Sequence, residues 1–383
     1  MCGCEVQFHK MVGDYNGEIK LDSSETLLIE SILGCIEELG KMITKNSNQE
    51  RKSFLMTLSK GKFNCITDVK GVQVGHVTLS EKINEEDTIC TGVTAILPHD
   101  GNLFNKKTRA GCTVINGYGK TAGLIQIVEL GLLESPIMLT NTFSVGAVLQ
   151  GTLQYMVDST KEIGDTTSTV NIVVGECNDG YLNSIRKQAV KPEHAVQAIK
   201  KANGNPVEEG AVGAGKGMVC FGYKGGIGTS SRTVTVGEEV YTVGCLVLSN
   251  FGKREEALFA DWKPKKVNTP DGSIMMIIAT DAPLYDRQLK RLAKRCAAGL
   301  GRTGSNIDNG SGDIAIAFST ANSYDHNAKT HSELLTFIRD DHPVMNQLFQ
   351  AVIETTEESV IRSLQHAETT DGRKGRSVEK API

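Results

Sequence analysis

A polar turn, Thr269-Pro270-Asp271-Gly272, runs directly into Ser273, and Ser273 opens the apolar run Ile274–Ala279. A serine between a glycine turn and a core strand is oddly placed if it only fills space. Its hydroxyl is a potential nucleophile. Gly272 can adopt backbone conformations closed to other residues, so the hydroxyl can reach the carbonyl just before it. Attack there would shift the acyl group from nitrogen to oxygen. Hydrolysis of the ester would leave Ser273 as a new N-terminus. Its α-amine, with an ordinary pKa of about 8, could then serve as base for its own hydroxyl. A Gly-Ser pair ahead of a strand is also a common turn, so the local pattern leaves both readings open.

Other chemistries lack their residues. The chain contains neither a G-x-S-x-G elbow nor the phosphate cradle GxxxxGK[ST]. Gly210–Gly217 comes near the latter, but Gly217 follows Lys216 where Ser or Thr is required, so tight packing is the expected use of these glycines. There are ten cysteines, none in a CxxC pair, and most stand in apolar runs such as GMVCFGY; they read as reduced core thiols. Closely spaced metal ligands are missing, and no metal or organic cofactor is expected. With 41 basic against 45 acidic residues and a single Trp, nucleic acid is not an expected partner. No apolar run approaches the roughly 20 residues of a membrane helix, and Met1–Glu18 has no apolar signal core; a cytoplasmic protein without a membrane partner is expected.

The elements that would position Ser273 can be read from the pattern. In residues 1–60, Asp22-Ser23-Ser24 resembles a helix cap ahead of ETLLIESILGCIEELGKMI, so one amphipathic helix is predicted in an N-terminal extension. Residues 61–383 alternate β-rich runs with helices. Strands or strand-and-turn units are predicted in ITDVKGVQVGHVTL, TGVTAILP, GCTVING, IMLTNTFSV, NIVVGE, GMVCFGY, SSRTVTV, YTVGCLVLSNF, SIMMIIATDAP and DIAIAFSTA. Helices are predicted in TAGLIQIVELG, VGAVLQGTLQYMVDST, YDRQLKRLAKRCAAGLGR and HPVMNQLFQAVIETTEESVIRSLQHAE. Several strands are apolar on both faces, as strands beneath helices must be, and the order implies layered α/β. The polar ending TDGRKGRSVEKAP reads as a loosely held tail. Asp281 in ATDAP reads as the cap of the next helix, and Asn141, Thr142 and Ser144 in TNTFSVG as pocket lining or helix capping.

From about residue 61 onward the sequence resembles the L-aminopeptidase/D-esterase–amidase family, which includes the β-peptidyl aminopeptidases. The blocks that carry the likeness are ITDVKGVQVGHVTL, TGVTAILP, TNTFSVG, VVGECNDGYLN, GGIGTSSR, LVLSNFG, DGSIMMIIATDAPL and NGSGDIAIAFSTAN, in order along both halves of the domain. The resemblance implies a four-layer αββα sandwich of the N-terminal-nucleophile type that cuts itself between Gly272 and Ser273. It implies that the two fragments stay together, usually in a homo-oligomer, and that the substrate is a small peptide or aminoacyl amide. Ser273 aligns with the nucleophile and Asn250 with the side chain that helps form the oxyanion hole. Ser311 and Asp313 align with a serine and an acidic residue beside the nucleophile; some relatives carry Glu at the second position. Glu176 aligns with the acidic residue that binds the substrate's ammonium. Asn178 stands where some relatives carry a catalytic Tyr, which leaves the preference among L-, D- and β-amino acids open. Read without the resemblance, Asn250 also fits a turn, Ser311 and Asp313 loop caps, and Glu176 a structural ion pair. Three rival functions are an acyltransferase of the ornithine acetyltransferase type and a polyamide-oligomer hydrolase that cuts internal amides, both disfavoured by Ser273 because those use Thr, and a non-cleaving binding protein on the same fold.

Overall fold

The computed structural model describes residues 58–260, 262 and 272–383, and three strands of the first 57 residues. The chain divides into two units, Met1–Thr57 and Leu58–Ile383. In the first, β1 (Glu5–Lys10), β2 (Tyr15–Lys20) and β3 (Thr26–Ile29) form an antiparallel sheet in the order β1-β2-β3. Strand β3 falls at the start of the stretch predicted to be a helix. A run as short as Thr26-Leu27-Leu28-Ile29 does not distinguish helix from strand by periodicity, and its β-branched ends favour the strand. The rest of that predicted helix, residues 30–43, lies outside the described residues.

The second unit begins its regular structure with the hairpin β4 (Gln73–Lys82) and β5 (Thr88–Leu97), then β6 (Lys106–Gly117), helix α1 (Leu124–Leu130) and the short β7 (Leu132–Leu133). β8 (Ile137–Asn141), α2 (Val145–Ser159), β9 (Val173–Cys177) and α3 (Pro192–Lys201) follow. A small hairpin, β10 (Val219–Cys220) and β11 (Tyr223–Lys224), precedes the long strands β12 (Gly226–Val236) and β13 (Glu239–Asn250). β14 (Ser273–Thr280), α4 (Asp286–Thr303), β15 (Gly312–Asp325) and α5 (Val344–Gln365) complete the layers, and β16 (Thr370–Asp371) pairs with β17 (Ser377–Val378).

Two sheets result. One has the order β12-β13-β14-β15-β6-β7, antiparallel except for the parallel β14–β15 pair; the other has the order β4-β5-β8-β9, with β8–β9 parallel. Alternation along β14 separates the layers. Met275, Ile277 and Ala279 join Leu139, Val173, Leu246 and Ile316 in the core between the sheets. Ile274, Met276 and Ile278 pack with Leu292, Cys296, Leu348 and Val352 of α4 and α5. On the far side, Val93, Ala95 and Met138 pack against Val148, Met156, Ala195 and Ile199 of α2 and α3. These three apolar layers are the helix–sheet–sheet–helix sandwich the resemblance implies. Each large apolar side chain buried in them stabilises the fold by about 1.5–3 kcal/mol.

Two local expectations change. The polar ending is held in place: Arg373 N donates to Leu182 O, Lys224 N donates to Glu379 O, and Val378 and Ala381 are buried. Single apolar anchors in a polar run carry no periodic signal. Asp281 caps no helix. Its Oδ1 accepts from Thr242 N at 2.6 Å, tying the end of β14 to β13, and α4 starts only at Asp286. The Gly-rich Gly213–Gly217 segment is a short buried 3-10 turn packed on β4, β5 and β12. The seven cysteines among the described residues are buried and free of disulfides. No helix among the described residues is long and apolar enough to cross a membrane.

Candidate active site

Ser273 is the first residue of β14, and both neighbouring strands reach it. Asn250, the last residue of β13, pairs with it on one side, and Gly312, the first residue of β15, pairs with it on the other. Ser273 is 7% exposed, and its Oγ accepts from Gly312 N at 3.3 Å. The structure gives Gly272 a steric reason to be glycine. A Cβ there would stand 2.4 Å from Asn250 O and 2.4 Å from Phe251 Cα, backbone atoms that cannot swing aside.

The Asn250 side chain is fixed by two backbone groups. Its Oδ1 accepts from Val219 N at 2.9 Å, and its Nδ2 donates to Asn178 O at 3.1 Å. A backbone N–H only donates and a carbonyl only accepts, so the orientation of the amide is unambiguous. One N–H of the amide remains for another acceptor.

Ser311 and Asp313 flank Gly312. Ser311 Oγ donates to Asp313 Oδ1 at 2.7 Å, while Asp313 Oδ2 is buried without a hydrogen-bond partner. Burial, with a smaller contribution from Asp308 and against the Ser311 bond, pushes the Asp313 carboxyl up to about 6. The turn before it is pinned from β6: Asn116 Nδ2 donates to Asp308 O and Asn309 O at 3.1 Å and to Ser311 O.

Glu176 comes from the other sheet. Gly175 packs on β14, where a Cβ would lie 2.6 Å from Met275 Cε, and Glu176 follows near the end of β9. The carboxylate is 3% exposed; Oε1 accepts from Lys120 N at 2.8 Å and Oε2 from Thr142 Oγ1. The loop after β6 links it to the start of β15. A Cβ on Gly312 would stand 2.8 Å from Gly119 Cα, and the next residue, Lys120, supplies the N–H on Glu176. Asn178 contributes through its backbone. Its exposed side chain folds back to accept from Gly180 N at 2.9 Å, and its carbonyl holds Asn250.

Ser273, Asn250, Ser311 and Asp313 thus share one end of the larger sheet, and Glu176 is tied to that end through the Gly119–Lys120 loop. Sequence reasoning missed Asn116, Gly119, Lys120 and Val219. The run NGYGKTAG, dense in turn residues after a strand, was the available signal for the loop. Of Asn141, Thr142 and Ser144 in TNTFSVG, Thr142 bonds Glu176, while Asn141 Oδ1 caps the turn by accepting from Phe143 N at 3.1 Å.

A family model, peptidase family S58, matches residues 64–378. The β-peptidyl aminopeptidase BapA of Sphingosinicella microcystinivorans is 40% identical over 348 residues, covering 84% of this chain and 86% of that protein. Among solved structures, the PH0078 protein of Pyrococcus horikoshii OT3 is 50% identical with a TM-score of 0.78, over 86% of this chain and 94% of that one. The L-aminopeptidase D-Ala-esterase/amidase of Ochrobactrum anthropi, described as a prototype of the serine aminopeptidases and a variant of the Ntn-hydrolase fold, is 34% identical with a TM-score of 0.79, over 85% and 93%. The αββα layering and the extent of these matches lead to one assignment: the chain belongs to peptidase family S58 and is a serine-type aminopeptidase/amidase.

Proposed function

We propose that the chain cuts itself between Gly272 and Ser273 and that the freed Ser273 releases N-terminal amino acids from small peptides, amides and esters. The observation that carries this is the position of Ser273 at the strand edge, between the Asn250 amide and the Ser311–Asp313 pair whose Oδ2 is unpartnered.

In the first step Ser273 Oγ bonds to the Gly272 carbonyl carbon, the C–N bond breaks, and the hydroxyl proton passes to nitrogen. Water then hydrolyses the ester, leaving a Gly272 carboxylate and a Ser273 carrying both hydroxyl and amine. In turnover the amine takes the hydroxyl proton as Oγ attacks the substrate carbonyl. The free Asn250 N–H donates to the oxyanion, a role worth about 10²–10³ in kcat. The leaving amine takes the proton, and water resolves the acyl-enzyme. Asp313, through Oδ2, holds the Ser273 amine in place. Glu176 receives the substrate's ammonium, which selects substrates with a free amino end. The names of the relatives support β-amino acids as part of the substrate range. Apolar side chains exposed on α1, Ile125 and Val128, support assembly into a homo-oligomer, and the free buried cysteines suit the cytoplasm.

The test is the intact mass of denatured protein beside Ser273→Ala. Wild type yields two fragments split before Ser273, and the variant one uncut chain. An uncut wild-type chain after days of incubation refutes the proposal.

A further inference from the structure

Lys224 is fully buried, and Nζ has three backbone carbonyls around it: Gly215 O at 2.9 Å, Met218 O at 2.8 Å and Gly225 O at 2.6 Å. Three acceptors use all three N–H groups of an ammonium; a neutral amine has only two. No carboxylate oxygen among the described residues lies within ion-pair distance of it. Burial pulls its pKa down to about 7. An apolar side chain would fill such a place without the cost of desolvating a charge.

What the three carbonyls have in common is their position. Gly215 and Met218 lie in the segment that ends in Val219, and Val219 N is the group that holds Asn250 Oδ1. Gly225 follows the β10–β11 hairpin, and Gly225 N donates back to Met218 O at 3.1 Å. The ammonium therefore closes the base of the hairpin onto the strand that presents the Val219 N–H. The tip is held separately. Phe221 has φ +50, a left-handed conformation rare for a bulky residue, and its N donates to Phe251 O at 2.7 Å. Its ring packs edge-on against Phe251 and Phe259 at 5.1 and 5.5 Å. The hairpin thus grips two consecutive residues, Asn250 and Phe251, whose backbone is also in close contact with Gly272.

We infer that Lys224 is a positioning residue for the oxyanion donor: it locks Gly215–Val219 so that Val219 N–H holds Asn250 Oδ1 and one Asn250 N–H is left to face the reacting carbonyl. This rests on the assignment of Asn250 as oxyanion donor. Truncating Lys224 frees the hairpin base, lets the Asn250 amide rotate, and weakens the donor in the transition state while leaving ground-state binding intact. A loss in kcat with unchanged KM is the signature of such an effect.

The experiment compares Lys224→Met, Asn250→Ala and the double variant. For each, the rate of self-scission of the full chain is read by intact mass. The kcat and KM are read on alanyl and β-alanyl p-nitroanilide, per cleaved chain. The expected results are a Lys224→Met scission rate and kcat lowered about 10- to 100-fold with KM within about two-fold, and a double variant no slower than Asn250→Ala alone. A Lys224→Met enzyme within about two-fold of wild type, while Asn250→Ala is strongly impaired, overturns the inference. So does a double variant in which the two losses multiply, because Lys224 would then act independently of Asn250. Wild-type rates in Asn250→Ala refute instead the underlying assignment of Asn250. If Lys224→Met does not fold by circular dichroism, Lys224→Gln, which keeps two donors, takes its place with the same outcomes.

Discussion

The proposed scission before Ser273 would change the charge beside Asp313, and that change would be measurable as pH-dependent stability. In the uncut chain the carboxyl is buried, has one partner in Ser311 Oγ, and titrates at about 6 against an ordinary 3.8. At pH between these values the folded chain keeps a proton that the unfolded chain has released. The slope of unfolding free energy with pH is therefore negative: the contribution is fully present below the unfolded pKa and is lost as pH rises through the folded one. A difference of roughly two pH units corresponds to about 3 kcal/mol. For a unit of this size that is on the order of 5 °C in Tm. The proposed scission would create an ammonium on Ser273, whose strand partner is Gly312, next to Asp313. An opposite charge that close lowers a carboxyl pKa by about 1–3 units, enough to remove most of the effect. Calorimetric Tm between about pH 4 and 7 should fall in Ser273→Ala, stay flatter in Ser273→Ala/Asp313→Asn, and stay flatter in the cut wild type. Other raised carboxyls, among them Asp179, Glu209 and Glu357, contribute alike to all three proteins, so the differences isolate Asp313. Parallel Tm curves for the two Ser273→Ala proteins, or for cut and uncut chains, would refute the reasoning.

Two further outcomes follow from the same site. Gly272→Ala places a methyl 2.4 Å from Asn250 O and Phe251 Cα, so the scissile peptide must move by about 1 Å. Self-scission should slow by about 10²-fold, read as the half-time for disappearance of the full-length mass, and a wild-type half-time would contradict it. Glu176→Gln keeps the acceptor for Lys120 N but loses the charge. The kcat/KM for substrates with a free amino end should fall by about 1.5–3 kcal/mol, roughly 10- to 100-fold, and an unchanged value would remove Glu176 from substrate binding.

The parts of the fold that repeat were legible, and the parts that depend on single contacts were not. β14 reads as a strand apolar on both faces because Ile274, Met276 and Ile278 pack against helices while Met275, Ile277 and Ala279 pack against the other sheet. Ser273 is visible as the break in that run. The short helix α3 gave too little pattern, although Pro192 and Glu193 mark its first turn. Strand β3 reads as helix because its three apolar residues, Leu27, Leu28 and Ile29, fit either period. The hairpin holding Asn250 reads in the sequence as one strand, GMVCFGY, which the structure breaks into β10 and β11 by a turn with positive φ at Phe221 and Gly222. Its role lies in Val219 N, Met218 O and Gly215 O, and backbone groups leave no trace in residue types. The Gly119 loop is similar: its use is a close approach to Gly312, a contact far apart in sequence.

Strand direction explains why these groups collect at one end. Because β14 and β15 run parallel, with α4 as their crossover, their first residues Ser273 and Gly312 lie side by side. The antiparallel neighbours then bring chain ends of the opposite sense to the same edge: β13 delivers Asn250, and β6 delivers Asn116 and Gly117 opposite Asp313 and Gly312. In the smaller sheet the parallel β8–β9 pair delivers two C-terminal ends together, which sets Thr142, just past β8, beside Glu176 on β9. Had β14 been antiparallel to β15, Ser273 would sit opposite the far end of that strand, and Asp313 would be a strand length away. A connection inserted between β13 and β14 must leave and re-enter the sheet at this same edge. The bond before Ser273 joins that connection to the sheet between Asn250 and Gly312, and this is the bond at which scission is proposed.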